Sequence, residues 1–340
     1  MRDKKSNKYR ATSYDVAKLA GVSQSTVSRC FKSGASISGK LREKVENAAR
    51  ELNYMPNAIA RSLILQRTGL IGILISPSIN FYYPEALFEV TERLKALNYR
   101  TLLFTVRQRE DLPELLEQLW QYQVDGVVSA SFLEADQYEW LVDRNIPVVM
   151  FNRFLEERSS NSVWCDTDNN IAELVGHLAQ QGHRRLALLA GPPTSMVNLA
   201  RMHSIKQAAE THNMQIVNTV HGNFLHESGG PALQEILGSN TRPTAIMATN
   251  DMMALGAIDE ARYRLNLSVP EDIAFTGIDG INAAGFFSYD LTTIRQPIDR
   301  MAEAAVTMLA ERIEDPSLTD EKRTFSGTFI TGESSMFSPR

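Results

Sequence analysis

The spacing of apolar positions changes character once along this chain, near residue 68. Before that point apolar side chains recur at helical intervals. Val16, Ala17, Leu19 and Ala20 form one short stripe, with Thr12 and Ser13 as candidate N-caps and Asp15 in the first turn. Gly21 breaks the segment and Ser23 is placed to cap the next, where Val27, Cys30 and Phe31 fall at i, i+3 and i+4. Leu41, Val45, Ala48, Ala49 and Leu52 make a third stripe after Ser38, and Pro56 is its expected stop. Three short helices, the first two joined by a tight glycine turn, are the parts of an all-α helix-turn-helix.

From Thr68 onward the apolar residues gather into short runs of buried-strand type. They are LIGILIS, TLLFTV, GVVSAS, PVVMFN and SVWCD, then RLALLAG, QIVNTV, AIMATN and IAFTGID. Successive runs stand roughly 20–30 residues apart, room for a crossover helix, which predicts parallel α/β sheets. Nine runs exceed one comfortable sheet, so two lobes are expected. No internal repeat or low-complexity segment interrupts them.

Charge sharpens this division. The 340-residue chain has a net charge of −5, yet residues 1–67 hold 14 Lys/Arg against 5 Asp/Glu. That is +9 at the front and −14 over the remaining 273 residues. Such asymmetry fits a polyanion-binding head on an acidic body, although a solvated basic tail would give the same sign. No run of 18 apolar residues predicts a membrane span. The basic N-terminus has no apolar stretch behind it and is not expected to be a secretory signal. Cys30 and Cys165 are far apart in unlike contexts, which argues against a disulfide and for a reducing cytoplasm.

The second helix of a helix-turn-helix lies in the DNA major groove. Gln24, Ser25 and Arg29 lie opposite Val27 and Phe31, and these residue types pair with adenine, with either base, and with guanine respectively. The hydroxyls of Thr12, Tyr14, Ser23, Thr26 and Ser28 suit phosphate oxygens. An ordinary three-helix bundle would show the same periodicity; the +9 charge favours DNA. Next comes NYMPNAIARSL, where Ile59, Ala60 and Leu63 share one side. A helix this short needs a partner such as its own copy. An exposed leucine beside Arg61 could wedge into a minor groove, although periodicity alone favours a linker.

TSYDVAKLAGVSQSTVSRCF followed by LNYMPNAIARSL resembles the head and hinge of the lac repressor family of bacterial transcription regulators, nearly without gaps from Thr12 to Leu63. The resemblance implies that Gln24, Ser25 and Arg29 read bases. It implies also that Leu63, with Asn57 and Ala60 around it, is a minor-groove lever. Cys30 stands where an aliphatic residue is usual, and a small thiol there is expected to be core packing.

In parallel α/β sheets ligands sit at the carboxyl ends of strands. The residues following the runs include Phe81, Tyr82, Tyr83, Asn152, Arg153, Asp166, Asn169, Arg201, Phe224, Asn250 and Asp279. Aromatic faces with Arg, Asn and Asp are what a sugar needs, although Asn and Asp at strand ends also cap helices. GHRRLALLAGP, GNFLHESG, ATNDMMALGA, VPEDIAFTGID and LTTIRQP resemble the family's two-lobed, periplasmic-binding-protein-like effector domain. That likeness implies Tyr82, Tyr83, Asn169, Arg201, Phe224, Asn250 and Asp279 as ligand residues, with Gln296 where the chain recrosses between lobes. Ser204 replaces the usual glycine three residues after the arginine and leaves the local backbone in doubt.

Histidine spacing shows no metal constellation, and no G-x-S-x-G, P-loop or G-x-G-x-x-G motif occurs. GHRR around Gly182 has the form of a helix C-terminus. Neither enzymatic activity nor a cofactor or metal is expected. The expected organisation is a basic tail at 1–10, a helix-turn-helix at 11–55, hinge and linker at 56–67, an effector and dimerisation domain at 68–332, and a C-terminal tail at 333–340 without a leucine heptad. The expected function is a cytoplasmic repressor, a homodimer on a near-palindromic operator, controlled by a sugar or sugar derivative. A purine effector, or a sugar receptor without DNA function, are the alternatives.

Overall fold

The computed structural model describes residues 11–31, 36–55, 67–76, 82–155 and 158–336. The chain divides into two compact units, Met1–Thr68 and Gly69–Arg340. The hinge candidates Asn57, Ala60 and Leu63 lie outside the described residues.

In the first unit α1 spans Ser13–Ala20, α2 Gln24–Cys30 and α3 Gly39–Glu51. Thr12 and Asp15 close a reciprocal capping box at the start of α1: the Thr12 hydroxyl accepts from the Asp15 amide, and the Asp15 carboxylate accepts from the Thr12 amide at 2.8 Å. Gly21 then turns left-handed, with φ 59°. This lets the Val22 amide reach the Ala17 carbonyl at 3.0 Å and end the helix. Ser23 caps α2 by accepting from the Thr26 amide at 3.2 Å. Val16, Ala20, Val27, Cys30, Val45 and Ala49 are buried together, so the Cys30 thiol is core packing.

Two expectations fail in this unit. Leu19 is 46% exposed. At about 100° per residue it lies roughly 110° from the centre of the arc holding Val16, Ala17 and Ala20, too far round to reach the core. The third helix stops four residues before Pro56 could act. Asn53 takes a left-handed φ of 47°, and the Tyr54 amide closes on the Ala49 carbonyl at 2.8 Å. Ser38 does occupy the N-cap of α3, but its side chain makes no capping hydrogen bond.

The second unit holds all nine expected runs as strands. They are β1 Leu70–Ile75, β2 Arg100–Thr105, β3 Gly126–Ser129, β4 Val148–Phe151, β5 Ser162–Asp166, β6 Arg185–Ala190, β7 Gln215–His221, β8 Ala245–Ala248 and β9 Ala274–Thr276. Three more, β10 Thr293–Arg295, β11 Lys322–Ser326 and β12 Thr328–Ile330, escape sequence reading. They are short or alternate between exposed and half-buried positions, without an apolar run. The first lobe is a six-stranded parallel sheet in the order β11-β5-β4-β3-β1-β2, and the second a four-stranded parallel sheet in the order β7-β6-β8-β9. Strands β10 and β12 pair antiparallel beside the second. None of the described residues of the β4–β5 connection, 152–155 and 158–161, is helical, contrary to the crossover spacing expected.

Among the described residues eight helices complete the unit: α4 Tyr82–Ala96, α5 Leu112–Gln121, α6 Ala135–Val142, α7 Asp168–Gln180, α8 Met196–Thr211, α9 His226–Leu237, α10 Asp251–Tyr263 and α11 Ile298–Glu314. Both faces of each sheet are covered, which is why β3, β4 and β8 are buried at every position. Helices α9 and α10 approach so closely that a Cβ on Gly256 would stand 1.9 Å from the His226 carbonyl oxygen. The chain passes between lobes three times: from β5 to α7, from β10 to α11, and from β11 to β12. No helix among the described residues is long and apolar enough to cross a membrane.

Candidate functional site: a reading helix and an interlobe cleft

On α2 the buried side chains are Val27 and Cys30. The opposite arc carries Ser25, Ser28 and Arg29, all exposed, with Gln24 at its edge. Gln24 is partly held, its side-chain amide donating to the Ser13 hydroxyl at 3.3 Å. Ser23 lies 2.8 Å from both the Ser25 and the Thr26 hydroxyls, so these three form one local network at the helix start. Arg42 donates to the Cys30 carbonyl at 2.7 Å and satisfies the other end of α2. Tyr14 and Thr12 are exposed on α1 and its cap. The arc therefore presents a bidentate cation and short hydroxyls free of the core.

The second unit contains a cavity of about 240 Å³ between its lobes. Its walls come from the carboxyl ends of eight strands. The first lobe gives Ser76 after β1, Arg109 after β2, Phe132 after β3, and Asn152 and Arg153 after β4, with Tyr82 and Tyr83 opening α4. The second gives the Pro192–Arg201 stretch after β6, Asn223 and Phe224 after β7, Asn250 after β8 and Asp279 after β9. Three of these hold positive φ: Asn152 at 54°, Phe224 at 68° and Asp279 at 135°. The last two are conformations that L side chains seldom adopt, and such strain gathers at binding sites. The Phe224 ring is seated on Gly191, where a Cβ would come within 2.2 Å of it.

One hydrogen-bonded series spans the cleft. The Tyr82 hydroxyl donates to Gln296 Oε1 at 3.1 Å, and Gln296 Nε2 donates to Asp279 Oδ1 at 2.8 Å. Arg201 gives Nη2 to the same oxygen at 2.8 Å and Nη1 to the Thr249 carbonyl at 2.6 Å. Arg201 and Asp279 are both about 5% exposed, a buried pair with further bonds to the Thr249 carbonyl and to Gln296. Burial raises the Asp279 carboxyl and the guanidinium opposes that rise. Burial also pushes Asp251, held by the Thr293 hydroxyl at 2.6 Å and the Ile281 amide at 2.9 Å, up to about 7, with the charge of Asp279 adding to the effect.

The profile of the bacterial regulatory proteins of the lacI family matches residues 12–57, and that of a periplasmic binding protein-like domain matches residues 175–335. The ribose operon repressor of Escherichia coli (strain K12) is 35% identical over 322 residues, covering 92% of this chain and 96% of that one. This chain belongs to the lacI family. The HTH-type transcriptional repressor PurR of Pasteurella multocida (strain Pm70) is 32% identical over 90% of this chain and 93% of its own. Among solved structures, the lac repressor dimer bound to operator and the anti-inducer ONPF superposes with a TM-score of 0.87 at 26% identity, over 96% of this chain and all of that one. The lacI-family chain is a DNA-binding transcription regulator and not an enzyme.

Within this lacI-family regulator the cleft brings together Tyr82, Tyr83, Asn152, Arg153, Arg201, Phe224, Asn250 and Asp279. It does not bring in Asp166 or Asn169. Strand β5 runs directly into α7, so Asp166 accepts from the Asp168 amide at 3.0 Å, and Asn169 is exposed on the first turn. Gln296 stands behind Asp279 and not on the wall. Asn250 also caps α10, accepting from the Met253 amide at 3.1 Å while donating to the Phe224 carbonyl at 2.9 Å. Ser204 leaves α8 unbroken; its hydroxyl donates to the Asp168 carboxylate at 2.5 Å and lies 3.1 Å from the Ala200 carbonyl. Sequence reading passed over Ser76, Arg109 and Phe132, and the loop PPTSMVN at 192–198, which lines the cavity, is in itself diagnostic of no ligand. The strand-end rule applied to β2 and β3 would have found Arg109 and Phe132. The Cys165 thiol behind the cleft is buried and pushed up to about 12, which makes it inert.

Proposed function

We propose that this regulator represses transcription as a homodimer on a near-palindromic operator, and that a sugar or sugar derivative bound in the interlobe cleft sets its affinity for DNA. Gln24, Ser25 and Arg29 read base edges, while Thr12, Tyr14, Ser23, Thr26 and Ser28 hold phosphates. Asn57, Ala60 and Leu63 enter the minor groove. In the cleft Phe224 and Tyr83 stack on the ligand's C–H faces, and Asn152, Arg153, Asn250, Arg201 and Asp279 take its hydroxyls.

The observation that carries this reading is the series Tyr82–Gln296–Asp279–Arg201, which ties the first lobe to the second at the cavity wall. A ligand that favours one lobe arrangement over the other works on that link, and only such differential binding can alter DNA affinity. The similarity to a protein named for the ribose operon supports a sugar. A cavity of about 240 Å³ favours a small one. Purines stand second, because the same aromatic faces stack nucleobases.

The test joins a thermal-shift screen of the full chain, against sugars, sugar acids, sugar phosphates and purines, to an operator gel shift. A polyol at a hundred times its Kd is expected to stabilise by about 2.7 kcal/mol and to change operator affinity. Stabilisation by purines alone transfers the reading to a purine effector. A ligand that binds without altering operator affinity leaves a receptor and refutes the regulatory coupling.

A further inference from the structure

Among the described residues three guanidiniums, those of Arg109, Arg153 and Arg201, line the cleft against one carboxylate, that of Asp279. Two of the three have carboxylate partners. Arg201 is paired with Asp279 and Arg109 with Glu134. Arg153 differs. Its Nε donates to the Ala130 carbonyl and its Nη2 to the Tyr83 hydroxyl, both at 3.2 Å, and among the described residues no carboxylate pairs with it. Of the five N–H groups on a guanidinium, those two bonds leave three without a bond among the described residues. The fork stays partly buried at the cleft wall, with no carboxylate on it among the described residues.

The opposite wall points the same way. The loop at 192–197 leads into α8, a helix of 16 residues whose cap Ser195 and first-turn residue Val197 both line the cavity. The amide end of such a helix attracts negative charge. A positive fork on one lobe and a helix start on the other therefore face a space large enough for a small polyol.

We propose that the effector is an anionic polyol, a sugar acid or a sugar phosphate, whose acid group is held by the Arg153 guanidinium. This rests on the polyol reading above and narrows it. The neutral ring and hydroxyls keep the partners already named, and the anion takes the N–H groups that Arg153 has to spare.

The experiment is calorimetric titration of the full chain with matched sets: glucose, gluconate and glucose 6-phosphate, and ribose, ribonate and ribose 5-phosphate. An anionic member is expected to bind roughly ten- to a hundredfold tighter than its neutral parent. The carboxylate and phosphate arms separate the two sources of charge. Arg153→Gln is expected to remove most of that preference, and Arg153→Lys to restore part of it. A measurement on the unaltered chain guards against misfolded variants: rising salt should weaken the anion and leave the parent unchanged. Neutral parents binding as tightly as their acids would overturn this inference and leave the polyol effector standing. Binding of purines alone, or of no polyol in either set, would overturn both.

Discussion

Phe224 shows how much one residue carries here. Its positive φ turns the ring back onto Gly191, and its carbonyl accepts from Asn250, so backbone, ring and neighbour are set together. Arg29 lies at the opposite extreme, exposed and with no side-chain bond among the described residues. Arg29→Ala should cost specific operator binding about 1–3 kcal/mol and barely touch affinity for unrelated DNA. Competition titrations check this, and equal losses on both DNAs would remove its base-reading role. At this scale the chain is legible wherever chemistry is unusual for its place, as with Arg201 and Phe224. It is not legible where a residue type serves two purposes. Asp166 and Asn169 follow a strand just as Asn250 does, but β5 enters α7 at once and its carboxylate goes to the helix start. Leu19 misled because a four-residue stripe does not define an arc.

Helix ends marked by glycine read correctly. Gly21 and Gly182 both hold left-handed φ, at 59° and 91°, and both close the six-to-one bond that ends a helix. The basic residues after Gly182 divide their work. Arg184 donates at 2.7 Å to the Ala179 carbonyl, whereas His183 is buried and its pKa is lowered from 6.5 to about 4 by desolvation. The unfolded chain thus binds a proton below pH 6.5 that the folded chain refuses until about 4, so this histidine's contribution is lost as pH falls through that window. His183→Gln should flatten denaturation midpoints between pH 6.5 and 4. The flattening is partial, because burial lowers His177 in the same direction. Equal slopes in both proteins would exclude the effect. The α9–α10 contact is invisible in the sequence, since nothing local distinguishes Gly256 from any helical glycine. Gly256→Ala places a methyl 1.9 Å from a backbone oxygen. It should destabilise the second unit by about 1–3 kcal/mol or more, read as a lower melting temperature. An unchanged Tm would show that the helices can separate freely.

For the whole molecule, nine buried apolar runs were enough to announce two parallel sheets, because strands covered on both faces need no alternation. Strands β10, β11 and β12 lack that signal; the passage at Gln296, from β10 to α11, is where the family resemblance put a recrossing, whereas the passage from β11 to β12 went unread. Under the proposed function those passages are where effector chemistry becomes lobe movement. Tyr82→Phe removes the hydroxyl that reaches Gln296 from the first lobe. The loss costs about 1–3 kcal/mol in whichever arrangement makes the bond. The ratio of operator affinities with and without effector should then shift about fivefold or more, while affinity for unrelated DNA stays the same. Fluorescence titration of labelled operator measures both. A constant ratio would take this bond out of the transition.

The place of β11 in the first sheet has a consequence for how the protein is made. Residues 322–326 pair with residues 162–166, so the first lobe's outer strand leaves the ribosome long after the strand it covers. Until then β5 offers an open strand edge, the kind of surface on which nascent chains pair wrongly. The short α-helical head has a buried core of its own, all of it made before residue 50. The growing chain can therefore hold its reading helix well before it holds a complete means of controlling it.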